Sequence, residues 1–97
     1  MGRVGSCALV VLVINNRVYA ANAGDSQALV LEQKDGNLVH TKLNKKLNAN
    51  SKKEQARLRS LFPGEPDVVE CRREKSCYVK GRLQPTRAFG DFRLKYP

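Results

Sequence analysis

Nearly every residue from Ser6 to Ile14 is apolar, and Val10, Val11, Val13 and Ile14 are β-branched. Branched side chains suit a pleated strand better than a helix, and a run without polar alternation reads as a strand covered on both faces. Asn15-Asn16 follows. Asparagine tolerates the positive φ of a two-residue turn, so Arg17 to Ala21 is expected to return as the second arm of a hairpin. By the same logic Ser26 to Glu32 forms a third strand, Lys34-Asp35-Gly36-Asn37 a turn and Leu38 to Thr41 a fourth strand, which together predict an antiparallel meander.

Past Asn50 the pattern changes. Ala56, Leu58 and Leu61 sit among Lys, Glu, Gln and Arg, with Asn50 or Ser51 placed to cap and Pro63-Gly64 to stop. This predicts one amphipathic helix over about 50–62. Asp67 to Cys71 and Ser76 to Val79 read as short strands around the Arg72-Arg73-Glu74-Lys75 turn. Pro85 keeps the next segment from being a central strand, and Arg87 to Gly90 reads as a short helical turn or bend. The fold class expected is α+β, with residues 1–97 in one domain, which the resemblance drawn below makes a partial one.

At 97 residues a single core is possible but modest, because small chains bury a smaller fraction of their surface. No apolar run reaches the roughly 20 residues needed to span a bilayer, so no membrane partner is expected. The Cys7 to Ile14 stretch is preceded by a lone Arg3 and followed by Asn15-Asn16, unlike a signal peptide. Three cysteines, Cys7, Cys71 and Cys77, are an odd number, and reduced thiols in an intracellular compartment are expected. The cytoplasm comes first, with mitochondrion and nucleus left open.

The net charge of +9 raises association rates with acidic partners without naming one. It concentrates in Lys42, Lys45, Lys46, Lys52, Lys53, Arg57 and Arg59, then in Arg72, Arg73, Lys75, Lys80 and Arg82. The first cluster has no interleaved aromatics, which removes the stacking platform of a single-strand nucleic-acid site. A solvated basic face is the expectation, and nucleic acid is disfavoured.

Two segments carry the chemistry, Asn22-Ala23-Gly24-Asp25-Ser26-Gln27-Ala28 and Thr86-Arg87-Ala88-Phe89-Gly90-Asp91-Phe92. Each sets a Gly-Asp step beside an apolar run, offering a carboxylate on a sharp turn that suits a hard cation. Taken in order, Gly5-Ser6-Cys7-Ala8, the Asn22 to Ser26 segment, a charged helix and Leu83 to Asp91 resemble the middle of a PP2C-type (PPM) metal-dependent serine/threonine phosphatase. The Asn50 to Pro63 helix and the wording Pro85 to Asp91 are similar to the pyruvate dehydrogenase phosphatase branch and to protozoan members.

The resemblance implies part of a sandwich of two antiparallel sheets flanked by helices. It also implies Mg²⁺ or Mn²⁺ held by aspartates, a metal-activated water that attacks phosphoserine or phosphothreonine, and a phosphoprotein substrate. Of the family's ligands only Asp25 falls on a matching position, that of a secondary, more weakly held metal, with Gly24 and Ser26 completing its motif. Asp91, with Gly90, matches the Arg-Ala-x-Gly-Asp signature in a structural role, and Arg87 is expected in a local ion pair. Ser26 and Thr86 lack an evident base and read as turn hydroxyls, and His40 matches no family position. No catalytic residue is assigned.

The family's Asp-Gly-His-Gly signature belongs ahead of the Gly5-Ser6 strand and its further aspartates beyond Pro97. The principal binuclear site is therefore expected outside this chain, which on its own is expected to be inactive and to self-associate. Lys46-Leu47 stands where the family carries Asp-His, leaving a truncated product, a gene fragment or a degenerate copy as open readings. The competing function is a noncatalytic module that uses its basic face for an acidic protein or nucleic acid; salt-dependent, Mn²⁺-independent binding distinguishes it.

Overall fold

The computed structural model describes residues 2–95. The long apolar run becomes β2 (Ala8–Ile14), which pairs antiparallel with β3 (Arg17–Ala23) from Ile14 opposite Arg17 to Ala8 opposite Ala23. Asn15 and Asn16 both take positive φ, 49° and 59°, as a type I′ connection demands. Asp35 and Gly36, at 50° and 78°, repeat the device between β4 (Leu29–Lys34) and β5 (Asn37–Lys42).

The expected meander is not formed. β2–β3 and β4–β5 are separate two-stranded ladders, because residues 24–28 are bonded elsewhere. The backbone N–H of Ala28 donates to Asn44 Oδ1, that of Leu43 to the Ala28 carbonyl and that of Leu47 to the Gly24 carbonyl. Nor is the Ser6 to Ile14 run buried. Leu12 and Val13, on opposite faces of β2, are 54% and 69% exposed, since neither face of a lone hairpin has a layer packed on it.

The helix is α1 (Lys52–Leu61), capped by Ser51, whose side chain accepts from the Glu54 N–H. Its end is closed by the Phe62 N–H on the Leu58 carbonyl. Its buried face is not the expected Ala56-Leu58-Leu61 stripe. Glu54, Gln55 and Leu58 point inward, while Ala56 and Leu61 are exposed. Leu58 joins Ala49, Val68, Val69 and Cys77 in a small core shared with the hairpin β6 (Val69–Cys71) and β7 (Cys77–Val79).

Directly opposed in that hairpin, Cys71 and Cys77 form a disulfide with Cα atoms 4.0 Å apart, so the expectation of reduced thiols is corrected for this pair. Cross-strand partners at this separation bring their Cβ atoms within bridging reach, which sequence spacing alone does not reveal. Cys7 is free.

The chain bends at Arg87, as one of the two expected forms has it, and Arg87 to Gly90 contains no helical turn. Phe89–Gly90 is β8, paired antiparallel with β1 (Gly5–Ser6), and the short helix α2 (Phe92–Lys95) follows it. The radius of gyration, 16.3 Å, exceeds the roughly 13 Å of a compact chain this size. No helix among the described residues is long and apolar enough to cross a membrane.

Candidate functional site

Gly24, Asp25 and Ser26 leave β3 through a turn that only glycine accommodates easily. Gly24 has φ +133° and a Cβ there would overlap Cys7. The turn holds Asp25 half-buried, with Oδ1 accepting from Cys7 Sγ at 3.5 Å and Oδ2 from Asn48 Nδ2 at 3.1 Å. Ser26 is exposed, and its carbonyl accepts from Asn44. Beside the turn, Asn22 Nδ2 donates to the Gly24 and Lys45 carbonyls, whereas the buried Asn22 Oδ1 has no partner among the described residues.

The second motif reaches this turn through one intervening segment. The Leu47 N–H bonds the Gly24 carbonyl and the Leu47 carbonyl accepts from the Thr86 N–H at 2.8 Å, while Ala49 N–H bonds the Gln84 carbonyl. Residues 47–49 thus thread between segments far apart in sequence. Leu47 lies on that thread, where its backbone serves as the connector.

Farther along, Gly90 (φ +78°) and Asp91 (φ +52°) are left-handed, and the Asp91 N–H bonds the Val4 carbonyl. Asp91 is buried against Gly5, whose missing Cβ leaves room for the carboxylate. Its backbone bond extends the pairing of Gly5 with Gly90 by one residue. No hydrogen bond among the described residues joins Asp25 to Asp91.

Arg87 is exposed and makes no ion pair among the described residues, contrary to the expected local pairing. Glu54 is taken instead by Arg57, through Nε at 2.8 Å and Nη2 at 2.9 Å. Thr86 is more than a turn hydroxyl, since its Oγ1 donates to Glu54 Oε1 at 2.6 Å. The Arg57 bonds, followed by the Thr86 bond and the nearby charges of Arg57 and Arg87, hold the Glu54 carboxyl below its ordinary value against the opposing effect of burial. Glu54 in turn raises Arg57.

Sequence reasoning does not single out Glu54, although Ser51-Lys52-Lys53-Glu54 has the Ser-x-x-Glu spacing of a capping box. Here only half the box forms, and the carboxylate turns to Arg57 and Thr86. His40 is exposed on β5 opposite Leu31 and takes no part.

Among the described residues no group of three His, Cys, Asp or Glu side chains could hold a metal ion. Hard cations need about six or more oxygen ligands, and Asp25 brings one carboxylate.

A hairpin ending in a Gly-Asp turn is thus tied through one segment to the Arg-Ala-Phe-Gly-Asp stretch, which joins the two motifs that carry the sequence resemblance. Residues 1–97 match the family described as protein phosphatase 2C, and the chain belongs to that family. It is 37% identical over 95 residues to "Probable protein phosphatase 2C 67" of Arabidopsis thaliana, covering 98% of this chain and 25% of the relative. It is 34% identical over 96 residues to "Probable protein phosphatase 2C 28" of Oryza sativa subsp. japonica, covering 97% and 24%. A pyruvate dehydrogenase (acetyl-transferring) phosphatase 1, mitochondrial, of Saccharomyces cerevisiae is 38% identical over 94 residues, covering 94% and 16%. The chain therefore spans about a quarter or less of the relatives it matches. No solved structure gives a significant match.

Proposed function

We propose that this chain is the central portion of a serine/threonine protein phosphatase that uses Mg²⁺ or Mn²⁺ to hydrolyse phosphoserine or phosphothreonine in a protein substrate. The family match along residues 1–97 carries the reading. The convergence of the Gly24 turn, Leu47 and Thr86 supports it, because it gives the separated motifs a common scaffold.

In this reading Asp25 supplies one carboxylate to a secondary ion, and the other ligands come from segments that this chain does not contain. The uncovered faces of β2–β3 and β4–β5 are where the rest of a two-sheet sandwich would pack. Left uncovered, each exposed Val, Leu or Ile forfeits about 1.5–3 kcal/mol of burial, and the free strand edges invite pairing. The 97-residue chain therefore self-associates and has no turnover of its own. Light scattering that shows only monomer as the protein concentration is raised counts against that.

The decisive experiment substitutes this chain for the matching segment of the Arabidopsis relative. Mn²⁺-dependent hydrolysis of a phosphoserine peptide should persist, and Asp25→Ala should raise the Mn²⁺ concentration required. A folded, metal-loaded chimaera without activity overturns the reading, and so does robust turnover by the isolated chain that vanishes in Asp25→Ala.

A further inference from the structure

A cleft of about 540 Å³ opens between α1, the β6–β7 hairpin and the chain from Pro85 to Lys95. That volume falls within the range of about 300–1,000 Å³ typical of ligand clefts. Leu58, Val68, Val79, Leu83, Pro85 and Leu94 line it. At its lip Leu61 and Phe62, consecutive at the end of α1, remain 58% and 46% exposed.

The charges around the cleft are unequally satisfied. Lys80 spans Glu65 at 2.8 Å and Asp67 at 3.0 Å, Arg57 is held by Glu54, and Asp91 is buried against Gly5. Lys95 donates to the Ala88 carbonyl. Arg82 and Arg93 also line the cleft, are exposed and have no ion pair among the described residues. The acidic side chains of the rim are thus engaged or turned away, while two guanidinium groups are left over an apolar trough.

We infer that this cleft docks a peptide segment of a partner protein bearing apolar anchor residues next to aspartate or glutamate. The trough takes the anchors, and the forked guanidinium groups of Arg82 and Arg93 match carboxylates. A nucleic acid fits less well. Among the described residues Phe62 is the one aromatic side chain in the lining, and bases need stacking partners. The assignment is independent of the phosphatase reading, since docking needs no turnover.

The test is fluorescence anisotropy with a labelled peptide that carries a Leu-Leu pair flanked by glutamates, titrated with the 97-residue chain. Saturable binding is expected, weakening as salt rises. Replacing the leucines by serine, or the glutamates by lysine, should remove most of it without altering the protein. Arg82→Glu with Arg93→Glu should weaken binding about fivefold, the scale of two exposed ion pairs. Leu61→Ser with Phe62→Ser should weaken it about tenfold.

No binding of the Leu-Glu peptide overturns the proposal, as does equal binding of the lysine-flanked peptide. Tighter binding of oligo-dT, insensitive to Leu61→Ser with Phe62→Ser, assigns the surface to nucleic acid and also overturns it. Self-association abolished by that lip variant, without peptide binding, assigns the cleft to a second copy of the chain and overturns it equally.

Discussion

Replacing Glu54 by glutamine keeps the shape of the side chain and removes its charge, which isolates what the carboxylate contributes. It accepts two bonds from Arg57, at 2.8 and 2.9 Å, and one from Thr86 at 2.6 Å. Hydrogen bonds to charged groups contribute about 1.5–3 kcal/mol each. The Arg57 side chain is 28% exposed, so water replaces part of its loss, and the glutamine oxygen can still accept from one partner. The net loss is about 2–3 kcal/mol. At about 4–8 °C per kcal/mol for a chain of this size, the melting temperature should fall by about 10–20 °C.

The pH dependence has a definite sign. The folded Glu54 carboxyl lies below its ordinary value, so its stabilisation is fully present above the unfolded value of about 4.3. It is lost as pH falls through the folded value. The parent should lose stability on acidification through that window, and Glu54→Gln should lose less. Thermal unfolding by circular dichroism at low protein concentration, in a cycle with Thr86→Val, reads both quantities. The cycle should show coupling of about 0.5–3 kcal/mol. A Glu54→Gln melt that coincides with the parent, with a parallel acid limb, refutes the account.

Gly24→Ala should cost about 1–3 kcal/mol, read from the urea midpoint, because φ +133° and the overlap with Cys7 both oppose a side chain. Gly5→Ala should push Asp91 off β1, and hydrogen exchange at the Asp91 amide should quicken as its bond to Val4 opens. Reducing Cys71–Cys77 should destabilise the chain by about 2 kcal/mol, as expected for a short closed loop. Thiol labelling before reduction should find Cys7 alone.

The hairpin turns are legible in the sequence because their signal is local. Asn15-Asn16 and Asp35-Gly36 are among the few pairs that accept positive φ in succession, and the structure puts both turns there. Ser51 is legible as a cap and Pro63 as a stop for the same reason. The buried face of α1 is not. A polar Glu-Gln pair points inward only because Arg57, Thr86 and the Ala49 carbonyl wait there, and those partners come from three places in the sequence. The Cys71–Cys77 bridge needs the register of β6 on β7.

By itself the sequence determined the arms of the three hairpins, α1 and the family, since backbone preference and motif order need only neighbouring residues. Tertiary structure decided which segments meet. Leu47 joins the Gly24 turn to Thr86, Gly5 makes room for Asp91, and the long apolar strand lies exposed instead of covered. Those outcomes depend on which polar and apolar groups find a partner in space, and residue order along the chain does not carry that information.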